Sequence, residues 1–335
     1  MRKHLTQKRL KLMAEHTRIA TYFAPLTAGE SGAFALTDDA AVLAPPPGYA
    51  FVFTTDSVIE GIHVLPGATP QQFAQKLVRR NLSDLAAMGA TPWRYLVNVH
   101  TPRALGDRWF ADFAAALARE QTEFGMVLVG GDTTSGGDVI HTTLTCLGLM
   151  QGAPLRRSGA HAGDDVYASG TIGDAALGLQ LLQRNISAAI SEDAAAYLIA
   201  RYHLPQPRLA LGTALQHVAH SCMDISDGLL ADAAQIAAAS GVELRIMRDA
   251  VPLSGAAQPL LQQHPSLWAS IVSGGDDYEL LFTAPASARE TIAALAQSLD
   301  LPLTRIGTVT EGEGVALLDT QGAPIAVDAG GWEHG

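Results

Sequence analysis

Short runs rich in Val, Ile, Phe and Thr alternate along the whole chain with longer stretches rich in Ala and Leu. The first kind suits pleated, half-buried backbone, and the second, with apolar residues every three or four positions, suits helices packed upon it. The spacing predicts strands at 51–55, 95–99, 126–129, 139–147, 165–168, 278–283 and 315–318. Helices are predicted at about 70–89, 107–124, 174–182, 193–202, 228–240 and 286–299. This alternation indicates α/β or α+β layers rather than a bundle or a sandwich. A length of 335 residues exceeds one comfortable core, and 48% hydrophobic against 16% charged residues is enough to fill two. Two α/β domains of roughly 150 residues each are therefore expected. The glycine-rich run QGAPLRRSGAHAG at 151–163 lacks apolar periodicity and reads as the passage between them, giving domains at 1–152 and 153–335.

Polar residues or glycine interrupt every apolar stretch well before roughly 18 positions, so no membrane span is predicted and a soluble protein is expected. The basic N-terminus, MRKHLTQKRLKLMAEH, lacks the continuous apolar core of a secretory signal and reads as an extension or helical arm. Cys146 and Cys222 lie far apart in apolar runs, which suits buried thiols in a reducing compartment, and the cytoplasm is the expected location. A net charge of −11 argues against a nucleic-acid partner. The lysines are Lys3, Lys8, Lys11 and Lys76, so beyond the N-terminal arm one lysine is available to meet phosphate. If nucleotides are handled, arginine, backbone amides or metal ions must hold the negative charge.

The aspartates fall in a pattern. Asp56 follows FVFTT, Asp132 follows MVLVGG, Asp224 and Asp227 lie in MDISDG, and Asp276 and Asp277 lie in SGGDDYELLF, each read as a place where a strand gives way to a turn or helix. Asp38 and Asp39 in ALTDDAAVL look the same. Such ends border the ligand crevice of α/β sheets. One strand-end aspartate is ordinarily an N-cap or an Asx-turn; it is their number in one chain that points to a site. Asp84 differs, because Leu77, Asn81, Asp84 and Met88 share a helix face, so two polar groups interrupt an apolar stripe. A carboxylate there needs a hydrogen bond or a metal. Many aspartates with almost no lysine is what a phosphate site neutralised by Mg²⁺ would look like. The GxxxxGK[ST] loop, the GxGxxG turn after a strand and the protein-kinase catalytic loop are absent from the sequence. VGGDTTSGG at 129–137 could present amides to a phosphate or be a plain turn.

Six motifs in register, TTDSVIEGIHV at 54–64, NLSDLAAMGATP at 81–92, GGDTTSG at 130–136, RSGAHAGDDVYASGTIGDAALGL at 157–179, DISDGLLAD at 224–232 and SGGDDYELLF at 273–282, resemble the bacterial thiamine-monophosphate kinases. The resemblance runs from about residue 15 to the C-terminus. It implies the two-domain α/β fold of the aminoimidazole ribonucleotide synthetase-like superfamily, with N-terminal sheets pairing into a barrel across a homodimer. It implies ATP-dependent, Mg²⁺-assisted phosphorylation of thiamine monophosphate to thiamine diphosphate, the last step of that cofactor's biosynthesis, by direct in-line transfer. Carried over motif by motif, Asp39, Thr54, Thr55, Asp56, Asp84, Asp132, Asp224 and Asp227 would hold Mg²⁺. Among these, Asp56, Asp84 and Asp132 would be catalytic. Gly131, Asp132, Arg157 and Ser226 would meet ATP, and His63, Asp276 and Trp332 the acceptor. Position 276 is Asp where that family usually carries Glu, and Leu36–Thr37–Asp38–Asp39 lacks the usual glycine. Two other readings stand beside it. The selenophosphate synthetase and hydrogenase-maturation branches resemble proteins needing an N-terminal or C-terminal cysteine that this chain lacks. A non-catalytic ion- or nucleotide-binding protein would share the same ligands.

Overall fold

The structure is a computed structural model that describes residues 15–186 and 190–326. The chain divides into two compact units, one of residues up to Leu82 together with Pro92–Gln151, the other of Ser83–Thr91 together with the residues from Gly152 on.

In the first unit the chain runs β1 (Ala50–Ile59), α1 (Pro70–Ala87), β2 (Thr91–Thr101), α2 (Asp107–Phe124), β3 (Val127–Ser135) and β4 (His141–Met150). The last turns of α1, from Ser83, group with the second unit. The strands form an open sheet in the order β1-β4-β2-β3, so β1 and β3 are its two edges. Both helices cover one face. Tyr95 hydroxyl donates to Gln121 of α2 at 3.1 Å, Phe73 of α1 packs edge-on to Trp109 of α2, and Arg79 of α1 pairs with Glu120 of α2 at 2.7 Å, both buried. Val97, Val99, Leu144 and Cys146 fill the same layer. The other face is more open, and Phe53 there is 63% exposed.

The second unit contains β5 (Asp164–Ser169), α3 (Asp174–Leu182), α4 (Glu192–His203), α5 (Leu209–Leu215), β6 (Ser221–Asp224), α6 (Leu229–Ser240) and β7 (Glu243–Met247). It continues through α7 (Ala257–Gln263), α8 (Leu267–Ser273), β8 (Leu280–Pro285), α9 (Arg289–Ser298), β9 (Leu303–Thr310) and β10 (Gly314–Leu318). Its mixed sheet has the order β10-β7-β9-β5-β8-β6, parallel between β10 and β7 and antiparallel elsewhere. Both faces are covered, and alternation divides each central strand between two cores. Val166, Ala168, Met223 and Leu281 enter the layer with α6 and α8, while Tyr167, Cys222, Leu280 and Phe282 enter the layer with α5 and α9. All of β5 is buried as a result, and Tyr167 stacks flat on Phe282 at 5.2 Å.

The elements that the periodicity misses are short or interrupted. Helices α5, α7 and α8 have seven residues each, two turns, too few to show a period. Strand β9 carries Gly307 because a Cβ there would lie 2.0 Å from the Arg245 carbonyl oxygen, and a register shift in the β5–β9 pairing falls beside it.

One buried group ties several of these elements together. Glu279, just before β8, has no solvent exposure. Its carboxylate pairs with Arg201 of α4 at 2.9 Å, accepts from Arg208 Nε at 2.7 Å, and accepts from Ser169 Oγ of β5 at 2.6 Å. Ser169 Oγ in turn accepts from the Leu280 amide at 2.9 Å.

Two outcomes are expected in denaturant unfolding. Glu279→Gln removes the charge that both arginines face and should lower stability by about 3–5 kcal/mol, the range for breaking a buried pair; a midpoint equal to wild type would show the network to be dispensable. Gly178→Ala places a Cβ 2.1 Å from the Leu198 carbonyl oxygen where α3 crosses α4. It should cost about 1–3 kcal/mol, and an unchanged or raised midpoint would contradict that close approach.

Candidate active site

Strand β6 ends on Asp224, which is buried and accepts a hydrogen bond from Ser83 Oγ at 2.7 Å. Asp84, on the next position of α1, is half-buried and shares that neighbourhood of the second unit. After Asp224 the chain turns through Ser226, Asp227 and Gly228, and the amides of all three donate to one oxygen of Asp232, at 3.0, 3.1 and 3.1 Å. Asp232 lies in the first turn of α6 and is buried. Burial first, and the Asp227 charge second, push its carboxyl up to about 7 against the pull of those three amides. The turn therefore buries Asp232 as its anchor while Asp227 stays exposed and Ser226 half-buried.

The run Gly274–Glu279 lies alongside this turn. The Asp276 amide donates to the Ser226 carbonyl at 2.9 Å, the Tyr278 amide to Ile225 at 2.8 Å, and the Ile225 amide to Glu279 at 2.8 Å. Gly275 is required there, since a Cβ would fall 2.2 Å from the Ser226 carbonyl oxygen. Asp276 and Tyr278 adopt left-handed φ of 74° and 52°, conformations that cost of order 1–3 kcal/mol in a non-glycine residue and persist when their surroundings hold them. Tyr278 hydroxyl donates to Asp276 Oδ1 at 3.0 Å, orienting that carboxylate. Asp277 does a different job: fully buried, it accepts from the Gly173 and Ala175 amides at 2.7 and 3.4 Å and caps α3. Burial raises its carboxyl well above the ordinary range.

The second unit thus brings Asp224, Ser226, Asp227 and Asp276 onto two hydrogen-bonded segments, with the α1 turn of Ser83 and Asp84 attached through Asp224. Arg157 is exposed on the segment leading to β5, where its carbonyl accepts from Ser240 Oγ at 3.2 Å.

The first unit disperses its residues. Asp56 and Asp132 sit inside β1 and β3, not at strand ends, which corrects the sequence expectation. They occupy opposite edges of the sheet and opposite faces. Asp56 turns to the helices, where Arg80 of α1 approaches its Oδ1 at 3.5 Å. Asp132 pairs in register with Asn98 on the open face, while the neighbouring Thr133 pairs with Val99 in the core. The edge placement defeats a reading by runs of apolar residues, because Thr54, Thr55, Ser57 and Asp132 continue the pleat with polar side chains. Thr54 is half-buried, and Thr55 hydroxyl lies 3.1 Å from that of Thr145 on the opposite face from Asp56. Gly131 is required where it stands, since a Cβ would meet the Val97 carbonyl oxygen at 1.9 Å.

His63 lies in the loop after β1, and its Nδ1 accepts from the Ile59 amide at 3.2 Å, which puts the proton of the neutral ring on Nε2. Asp39 is exposed in a bend that follows left-handed Phe34, Ala35 and Leu36, at φ of 49°, 50° and 60°. Within Leu36–Thr37–Asp38–Asp39, the stretch that lacks the usual glycine, Leu36 is the residue held left-handed, a conformation glycine adopts at no steric cost. Trp332 lies outside the described residues. Lys76, the lysine left to meet phosphate, is fully buried in α1.

Asp232 and Glu279 are the residues that sequence reasoning missed. The signal for Asp232 is a carboxylate among the buried Leu229, Leu230, Ala233 and Ile236 of an otherwise apolar helix. Glu279 carries a similar one, as an acid inside the apolar run YELLF.

The donor chemistry of the second unit's cluster is carboxylate oxygen throughout, in Asp84, Asp224, Asp227 and Asp276. That set fits a hard divalent cation such as Mg²⁺ and does not suit a thiophilic one.

Residues 37–150 match the AIR synthase related protein N-terminal domain, and residues 161–319 the corresponding C-terminal domain. The thiamine-monophosphate kinase of Caulobacter vibrioides is 38% identical over 325 residues, covering 96% of this chain and 91% of that protein. The crystal structure of thiamine-monophosphate kinase from Stenotrophomonas maltophilia K279a superposes with a TM-score of 0.79 at 38% identity, over 87% of this chain and 91% of that one. AaThiL complexed with AMPPCP and TMP gives a TM-score of 0.76 at 30% identity, over 91% and 97%. With both family domains in order and up to 38% identity over nearly the whole chain to curated members, the chain belongs to the thiamine-monophosphate kinase family of AIR synthase related proteins.

Proposed function

We propose that this enzyme phosphorylates thiamine monophosphate with ATP, giving thiamine diphosphate and ADP, the last step of thiamine diphosphate biosynthesis. The observation that carries the reading is the near full-length match to thiamine-monophosphate kinases, AaThiL with AMPPCP and TMP among them. In the proposed reaction a terminal phosphate oxygen of the acceptor forms a bond to the γ-phosphorus as the bond from that phosphorus to the β,γ-bridging oxygen breaks in line, and ADP departs with that oxygen. The acceptor phosphate has a second pKa of about 6, so it reaches neutral pH already largely ionised and no strong general base is required.

The obstacle is repulsion. Two unit charges about 4 Å apart repel by about 4 kcal/mol at an effective dielectric of 20, and both partners carry more than one. Among the described residues lysine does not offset this, since Lys76 is buried. Asp84, Asp224 and Asp227, with Asp39, Thr54, Thr55, Asp56 and Asp132 carried over by family, are the proposed Mg²⁺ ligands, and Asp56, Asp84 and Asp132 the proposed catalytic set. Bound Mg²⁺ would supply charge neutralisation at the phosphate oxygens. Gly131, Asp132, Arg157 and Ser226 are assigned to ATP; Arg157 offers a planar fork suited to phosphate. Asp276 is held ready by Tyr278, and His63 and Trp332 join it at the acceptor by family. The proposed homodimer pairs the open faces of two first-unit sheets into a barrel, which would cover exposed Phe53. No helix among the described residues is long and apolar enough to cross a membrane, and both cysteines are buried and in no disulfide. Both features fit the proposed cytoplasmic location.

ADP release coupled to a reporter enzyme should depend on thiamine monophosphate and on Mg²⁺; release independent of that acceptor would overturn the kinase assignment. Asp84→Asn should lower kcat by about 10²-fold or more with unchanged circular dichroism, and near-normal turnover at saturating Mg²⁺ would remove Asp84 from the catalytic set. Light scattering should give the mass of two chains for wild type and of one for Phe53→Glu; a wild-type monomer would exclude the barrel.

A further inference from the structure

We propose that His161, Asp164 and His220 form a binding site for a borderline divalent cation of the Zn²⁺ class, separate from the oxygen-only acidic cluster. One donor atom from each of the three lies within 4.8 Å of those from the other two. The Nδ1 atoms of His161 and His220 face each other at 3.2 Å. Two ligands at about 2.0–2.1 Å from a tetrahedral ion are separated by about 3.3–3.4 Å, so the rings already stand at nearly the spacing of a coordinated pair. The Asp164 carboxylate completes the triangle, with Oδ1 and Oδ2 at 3.0 and 2.9 Å from His220 Nδ1.

The site is built into the backbone. Asp164 is buried and its Oδ2 accepts from the His161 amide at 2.9 Å, while the Asp164 amide donates to the His161 carbonyl at 3.0 Å, closing a tight HAGD turn at the start of β5. His220 immediately precedes β6, and its amide donates to the Thr283 carbonyl at 2.8 Å. Gly159 permits the approach of the two segments, since a Cβ there would lie 2.5 Å from the His220 carbonyl oxygen. Without a metal the triangle is short of protons in the right places. His220 Nδ1 cannot donate fully to Asp164 and to His161 at once, and a single hydrogen fits between the two nitrogens. A cation at the centre engages both nitrogen lone pairs and the carboxylate together. Two imidazoles with one carboxylate prefer Zn²⁺, Co²⁺ or Ni²⁺ to Mg²⁺, and three protein ligands leave a fourth position to water. An ion here would fasten the segment carrying Arg157 to the start of β6.

The test uses the whole protein in excess Mg²⁺, titrated with Co²⁺ and then Zn²⁺. One equivalent of Co²⁺ should give the visible absorption of a tetrahedral site, and Zn²⁺ should abolish it. His161→Gln and His220→Gln should each weaken Zn²⁺ binding by about 10–100-fold or more, while Asp227→Asn should leave it unchanged. Because His161 is exposed, its variant should unfold at the wild-type temperature without metal and lose only the Zn²⁺-dependent rise. In wild type, Zn²⁺ should shield His161 and His220 from diethylpyrocarbonate, which checks the site without any substitution. No binding in excess Mg²⁺, affinity unchanged in both histidine variants, or no shielding of either ring would overturn the proposal.

Discussion

A carboxylate with no access to water must be neutralised from within, and the second unit is arranged around that requirement at Glu279. Arg201 arrives from α4, Arg208 from the start of α5 and Ser169 from the end of β5. Three elements distant in sequence are thus held to one point. A buried pair is a poor source of net stability, because desolvation offsets most of the attraction. What it gives is position. With Glu279 held, the Ile225 amide has its acceptor, Tyr278 and Asp276 can be kept in left-handed conformations, and the acidic turn is aligned beside them. Asp232 repeats the logic one segment earlier, one buried oxygen gathering three amides so that Asp227 projects outward.

Many arginines among the described residues are occupied by the chain's own acids. Arg79 pairs with Glu120 and Glu123, Arg94 with Glu30, Arg201 and Arg208 with Glu279, and Arg289 and Arg305 with Asp165. The consequence is visible in the acids: Asp165 and Glu30 are held below the ordinary carboxylate range chiefly by their arginine partners. Lys76 is buried, and the chain carries a net charge of −11. Among the described residues those paired arginines are not available to a phosphate ester, and the proposed reaction would draw on exposed Arg157 and on cations from solution.

Much of this could be read in the residues, and the failures have physical causes. Long helices such as α1 and α2 show their apolar stripe over 18 residues each, and a strand sandwiched between two cores, such as β8, opens with the unbroken apolar run Leu280–Phe282. Helix α5 escaped because two turns contain too little period, and β9 because Gly307 answers to a carbonyl on the neighbouring strand, a constraint no local window contains. In the site, DISDG and GGDDYE were legible because aspartate and glycine cluster where the backbone must turn sharply. Asp56 and Asp132 were legible as strand-end aspartates but misplaced: a strand at a sheet edge, with one open face, tolerates carboxylates along its length. Asp232 and Glu279 stayed hidden because their partners are backbone amides and arginines brought together only by folding.

The distribution of donor types carries a further consequence. Among the described residues, the group of acids and histidines close enough to share an ion is His161, Asp164 and His220, while the second-unit residues proposed for Mg²⁺ are all aspartates. Oxygen donors alone discriminate poorly among hard cations, but they hold borderline ions weakly; imidazole pairs do the reverse. Keeping imidazole away from the acidic turn would therefore protect the proposed Mg²⁺ site from the tighter-binding transition ions that the Irving–Williams order would otherwise favour. Separation of ligand types along the chain, more than the affinity of either set, is what allows one small α/β unit to present both chemistries without one ion displacing the other.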